Sequence, residues 1–234
     1  MLAQVHSFVL HGIDAAPCEV EVDSADRGLP NTTIVGLPDA SVKESIERVR
    51  AAILNSGFAF PMNRLLVNLA PAELRKEGPV YDLPIAIGML LANQTIESQL
   101  HKRIMLAGEL ALDGRLRPIR GTISAAVSAR DMGLDAIIVP IDNAPEAAAV
   151  SGIQVLGADS LATVVAHLNE LRSIEPTESA DADQQLAQQK HETDFADVRG
   201  QEAVKRALTI AAAGGHNLLT LQPINSYMNQ LVRY

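Results

Sequence analysis

Apolar and polar residues alternate in three short runs at the start of the chain, Val5–Ile13, Cys18–Asp23 and Thr32–Val35. Turn-forming residues separate them at Asp14–Pro17 and Ala25–Pro30. This pattern predicts an antiparallel β opening. The period then lengthens: after Asp39, a candidate N-cap, Val42, Ile46, Val49 and Ile53 recur at helical spacing, and Gly57 supplies a stop. Lys43, Glu44, Glu47, Arg48 and Arg50 fall on the other faces, either solvated or, for the arginines, meeting a neighbouring subunit.

Arg64–Leu69 alternates as a strand, and Leu83–Ala92 is apolar on every side, as a buried helix would be. Further on, the pattern predicts a strand near Ile104–Leu106, a hairpin around Asp113–Gly114 and a small-residue helix from about Thr122 to Met132. Ala136–Val139 and Gln154–Leu156 read as parallel-sheet strands, each followed by a helix, with Asp159 as N-cap of the second. The expected fold class is therefore α/β or α+β, in a first domain spanning 1–172. From Ser173 to Glu192 the composition turns to Glu, Asp, Gln, Ser and Ala against a lone Lys190, a linker signature. A helix over about Gln201–Ala213 and a buried strand beginning at Asn217–Leu221 then open a second domain, 193–234.

Composition narrows the possibilities. With 47% apolar residues in 234 the chain can bury a core, and with 3% aromatics and no Trp that core must be built from Ala, Val, Leu and Ile. A formal charge of -9 argues against a nucleic-acid footprint in this segment by itself. The single Cys18 permits no internal disulfide and reads as buried filler. The six histidines show no ligand spacing, so no metal site is expected. Met1 is not followed by a basic leader, and Leu83–Ala92 is too short to span a bilayer, so a cytoplasmic protein without membrane partners is expected.

Two stretches concentrate candidate chemistry. The loop Pro71–Asp82 places Lys76, Glu77 and Asp82 between a strand and a helix, where a scaffold often carries a site. The plainer reading is a tight turn at Gly78–Pro79 with Asp82 capping the next helix. Gly108–Gly121 has a hairpin layout with Arg115, Arg117 and Arg120 at its exit, suited either to phosphate or an acidic surface, or to solvent.

Several elements follow in order: Gly36-Leu-Pro38, Asn68-Leu-Ala-Pro71, Lys76-Glu-Gly78, Tyr81-Asp-Leu-Pro84 and Gly108-Glu-Leu to Gly114. In these the chain resembles the amino-terminal domain of the Mg-chelatase-like AAA+ ATPases of the ComM type, over most of residues 1–172. That domain is similar in fold to the proteolytic domain of Lon protease, which implies a Lon-like βαβ arrangement here. The resemblance also locates what is different. Lys76-Glu-Gly-Pro79 matches the segment that precedes the Lon serine, but Val80 occupies the nucleophile position; Gly108-Glu to Pro118-Ile-Arg-Gly121 matches the segment before the Lon lysine, whose position falls at about Ile123. A Ser–Lys dyad needs a hydroxyl beside an amine of lowered pKa, so no peptidase is expected.

Asp194-Phe to Val198-Arg-Gly-Gln201, followed by Lys205 to Leu219, resembles the opening of an AAA+ domain. Full-length relatives continue into a Gly-rich phosphate loop and use ATP and Mg; here Thr220–Tyr234 carries no such loop and no lysine follows Lys205. The resemblance places Val198, Arg199 and Gly200 on the adenine side. The expectation is a fragment that stops before the phosphate loop, through a shifted frame or a foreign tail, not itself an enzyme and needing no cofactor. Its role would be that of an accessory interaction domain, a possible homo-oligomer, whose link to DNA comes only through ATP-dependent DNA remodelling by full-length relatives in natural transformation. Two alternatives stay open: a noncanonical hydrolase using Asp82 or Glu77 as acid or base, and a Mg-chelatase subunit in porphyrin metallation.

Overall fold

The computed structural model describes residues 1–25, 29–178 and 197–219. It divides into two units, Met1–Gln185 and Leu186–Tyr234. In the first, β1 (Leu2–His11) and β2 (Asp14–Ala25) form a long hairpin. β3 (Asn31–Val35) is followed by α1 (Ala40–Asn55) and β4 (Arg64–Ala70), and a 3-10 turn at Pro79–Tyr81 leads into α2 (Asp82–Ala92). Then come β5 (Ile104–Leu106), a small hairpin of β6 (Glu109–Leu110) and β7 (Leu116–Arg117), and α3 (Thr122–Asp131). β8 (Ala136–Pro140), the single turn α4 (Ala144–Ala147), β9 (Gln154–Ala158) and α5 (Leu161–Leu168) complete the unit.

Seven strands make one sheet in the order β3-β4-β2-β1-β5-β8-β9. Only β1–β2 and β2–β4 pair antiparallel; the other four pairs are parallel. The fold is thus mixed α/β, as the alternation of short apolar runs with helical patterns implies. Each sheet face has its own apolar layer. α1, α2 and α5 cover one, around Val5, Val20, Leu83, Ile87 and Leu161. α3 and α4 cover the other, around Phe8, Ala125 and Val139. Every residue of α2 is buried, which is why its sequence shows no polar stripe. Gly88 allows this helix to lie directly on the sheet, since a Cβ there would come within 2.6 Å of Val22 Cγ2.

The structure departs from the sequence reading in four places. The first turn is Gly12-Ile13, not Asp14–Pro17. Gly12 takes φ +67 as the opening residue of a two-residue turn. Pro17 is tolerated inside β2 because it lies opposite Phe8, one position from the bonded pair Ser7–Cys18 and so in a non-bonded pair, where its missing N–H is not needed by β1. β3 does not continue an antiparallel meander; it crosses over through α1 to pair parallel with β4. The N-cap of α5 is Ser160, whose Oγ accepts from Thr163 N at 3.3 Å, while Asp159 accepts from the Thr163 and Ser160 hydroxyls. Asn217–Leu219 form no strand, and the rest of that expected element lies outside the described residues.

The first residues of the expected linker are held against the domain. Ile174 N donates to His167 Nδ1 at 3.0 Å, Pro176 bridges to Leu156, and Thr177 N donates to Val155 O at 2.8 Å. Positions 179–192 of that segment lie outside the described residues. In the second unit, α6 (Glu202–Gly214) ends on Gly215 at φ +62, a left-handed helix stop. Among the described residues no helix is long and apolar enough to cross a membrane.

Candidate functional site

The two stretches that carried candidate chemistry converge on one cleft of about 550 Å³. One wall is Gly78–Tyr81, a second is Pro118–Arg120, and between them runs the C-terminal part of β1, Phe8–Leu10. Asp39, Arg75, Glu77 and Glu109 complete the rim.

Each wall is fixed by local bonding. Lys76 N donates to Leu37 O at 3.2 Å and Lys76 O accepts from Asp39 N at 3.0 Å, so the loop is stitched to the segment entering α1. Asp39 caps α1 through Oδ1, which accepts from Val42 N at 2.7 Å, and holds the loop through Oδ2, which accepts from Gly78 N at 3.2 Å. On the opposite wall, the buried Asn143 binds both polar groups of Ile119: its Oδ1 accepts from Ile119 N at 2.8 Å and its Nδ2 donates to Ile119 O at 3.0 Å. Val80, at the base of the first wall, packs against both apolar layers.

The sequence candidates separate into distinct environments. Lys76 is fully buried and its ammonium donates to Pro71 O; burial pulls its pKa down. Asp82 is also fully buried and is bound by the Arg48 fork, Nε to Oδ2 at 2.9 Å and Nη2 to Oδ1 at 3.1 Å, and by Leu110 N at 3.2 Å. Burial pushes the Asp82 carboxyl up while the Arg48 bonds oppose it, and the same bonds raise Arg48. Neither Lys76 nor Asp82 borders the cleft. Asp82 begins α2 itself, with Tyr81 in the cap position, so it ties α1, α2 and β6 together from inside. Glu77 does border the cleft and pairs with Arg75 at 3.3 Å on the surface. Arg115 is held by Asp113 at 2.8 Å on the hairpin tip, and Arg117 lies 3.6 Å from Glu109. Arg120 reaches the cleft and has no ion-pair partner among the described residues.

Sequence reasoning misses Arg75, Glu109 and the edge of β1, because only the tertiary fold brings residues near positions 9, 77 and 119 together. Burial pushes the Tyr81 hydroxyl up within the first wall, and the thiol of Cys18 on β2 up to about 12. The lining supplies no Ser, Thr, Cys, Lys or His. Among the described residues no three His, Cys, Asp or Glu side chains gather as metal ligands would. In the second unit, Val198, Arg199 and Gly200 precede α6 in a turn where Gly200 and Gln201 both take left-handed φ, and Lys205 pairs with Glu202 at 3.4 Å.

Comparison with known proteins matches two separate segments of the chain. Residues 20–143 match the family model described as subunit ChlI of Mg-chelatase, and residues 194–227 match that of magnesium chelatase, subunit ChlI. The chain is 45% identical to the uncharacterised protein YifB of Escherichia coli over 222 residues, and 42% identical to competence protein ComM of Haemophilus influenzae over 223 residues. Each alignment covers 95% of this chain and 43% of the relative, so the chain spans less than half the length of these proteins. A Lon protease of Lachnoclostridium phytofermentans is 26% identical over 87 residues, 37% of this chain and 10% of that protein. The chain belongs to the Mg-chelatase-like family of the ComM and YifB proteins.

Proposed function

We propose that residues 1–172 are the accessory, non-catalytic interaction domain of a ComM-like AAA+ ATPase, joined by the 173–192 linker to the opening of its ATPase domain. The observation that carries this reading is the cleft itself. It assembles parts of the two Lon-like segments, and by the resemblance Val80 falls at the nucleophile position and the lysine position at about Ile123, at the start of α3. Of the loop's three acid–base candidates, Lys76 is committed to a carbonyl and Asp82 to Arg48, and Glu77, which does border the cleft, is paired with Arg75 at the surface. Acyl transfer requires an activated nucleophile, and this lining offers none.

In a complete relative the domain would serve ATP-driven DNA remodelling, with Val198, Arg199 and Gly200 on the adenine side and the phosphates and Mg held by residues beyond this chain. The test compares this chain with a version extended through a full phosphate loop, in ATP hydrolysis and in turnover of a fluorogenic peptide. ATP hydrolysis by the extended protein alone, with no peptide turnover by either, supports the reading. Hydrolysis of either substrate by the 234-residue chain overturns it.

A further inference from the structure

Phe8, Val9 and Leu10 are consecutive, and all three border the cleft. Side chains of a strand alternate between faces, so three residues in a row that border one cavity meet it along the strand's edge or at its end, and both lie together here, next to His11. Pairing explains why that edge is open. β5 meets β1 at a single position, His6 with Met105, and no strand of the described residues pairs with β1 on that side beyond it. The orientation of the free groups follows from the turn. A two-residue hairpin loop makes His11–Asp14 a hydrogen-bonded pair, so odd-numbered residues of β1 bond to β2. Even-numbered residues turn the other way: His6 toward β5, Phe8 and Leu10 toward the cleft.

We propose that the cleft takes an extended peptide as an added strand along the Phe8–Leu10 edge of β1, with an acidic residue of that peptide against Arg120. An extended chain is the ligand class that matches a repeating row of backbone N–H and C=O groups. At Ile119 the opposite wall does not compete for it, because both backbone polar groups there are bonded to Asn143. Alternate side chains of the peptide face an apolar surface made by Phe8, Pro79, Val80 and Ile119. Among the charged rim groups, Arg75 and Glu77 satisfy each other and Glu109 lies near Arg117, which leaves the Arg120 guanidinium as the group able to select a carboxylate. The lining sets Asp39, Glu77 and Glu109 against Arg75 and Arg120, so it has no excess of positive charge to hold a phosphate backbone.

The proposal rests on the reading of the domain as an interaction module and specifies what it binds. The probe is a blocked hexapeptide of alternating threonine and valine closing on aspartate, titrated into the full chain with the backbone amides of Phe8 and Leu10 followed by NMR. Two further peptides carry N-methyl groups on either the odd or the even amides. One of the two should bind at least about tenfold more weakly, because it loses the donors that face β1, and the other should bind like the parent. Leu10→Pro removes an edge N–H not used by β2 and should weaken the parent peptide similarly, and Arg120→Gln should weaken the aspartate peptide but not its asparagine analogue. If Leu10→Pro fails to fold, the methylated pair decides alone. No binding by the parent at millimolar concentration, equal binding by both methylated peptides, or the same amides responding instead to single-stranded oligothymidylate overturns strand addition. Cleavage of the bound peptide would instead overturn the non-catalytic reading and leave strand addition standing.

Discussion

Removing Arg48 and removing Asp82 should cost different amounts, and the difference should depend on pH. Asp82 is fully buried, whereas the Arg48 side chain is 25% exposed. In Asp82→Asn the guanidinium keeps access to water and the amide oxygen still accepts from Leu110 N, so the loss should be about 1–3 kcal/mol. In Arg48→Ala a carboxylate is left in the interior with Leu110 N and the Ser45 hydroxyl as its remaining donors, and a loss of about 3–5 kcal/mol is expected near neutral pH. That penalty applies to the ionised form. Burial already pushes Asp82 up with Arg48 in place, and without the guanidinium it must rise further. A carboxyl whose folded pKa lies above its unfolded value contributes stability that is present at low pH and lost as pH rises through the folded pKa. Arg48→Ala should therefore recover stability on going from pH 7.5 to pH 5, relative to the parent at each pH. Replacing both partners by apolar residues, as Arg48→Met with Asp82→Leu, should restore most of the loss. The assay is urea unfolding followed by far-UV circular dichroism, since the chain has no Trp. Equal losses in the two single variants, unchanged by pH, would refute the burial argument. Asp82→Asn with full stability but a lost hydrolytic activity would instead restore Asp82 as a catalytic acid.

Three further outcomes are expected. Gly88→Ala should destabilise by about 1–3 kcal/mol through the 2.6 Å approach to Val22, and Val22→Ala should partly rescue it; a neutral Gly88→Ala would mean α2 lies farther from the sheet. Burial lowers the pKa of His101 and His167, and the unprotonated Nδ1 of His167 accepts from Ile174 N. The unfolded chain then binds protons more readily below pH of about 6.5, so Tm should fall as pH drops through that value, less so in His167→Gln; a flat or rising Tm would count against it. Cys18 should resist iodoacetamide at pH 8 by at least about a hundredfold relative to the urea-unfolded chain, because it is buried and its thiol stands near 12. Rapid labelling of the folded chain would contradict that placement.

The helices were legible where one face had to be buried. Val42, Val49 and Ile53 announce α1, and Asp39 does cap it. The unbroken apolar run of α2 fits its burial on all sides. Strand order was much less legible, because β3 reaches β4 only across the whole of α1, and local alternation cannot distinguish that crossover from a hairpin. Turn chemistry misled at Asp14–Pro17, where Asp and Pro are strong turn residues in isolation but Gly12 satisfies the turn first. The loop Pro71–Asp82 was visible as a concentration of charge. Its sequence could not show that Lys76 and Asp82 turn inward while Glu77 stays at the rim, since that depends on Pro71 O and Arg48 arriving from elsewhere.

Val80 is half-buried at the place where the apolar layers on the two sides of the sheet meet. A hydroxyl at this position would have to be exposed enough to react while standing in the seam that joins two cores, and the seam would be weaker for it. A branched apolar side chain removes that conflict. Serine there would give up part of the cohesion between the layers, whereas valine lets one side chain close the floor of the groove and join the two cores beneath it.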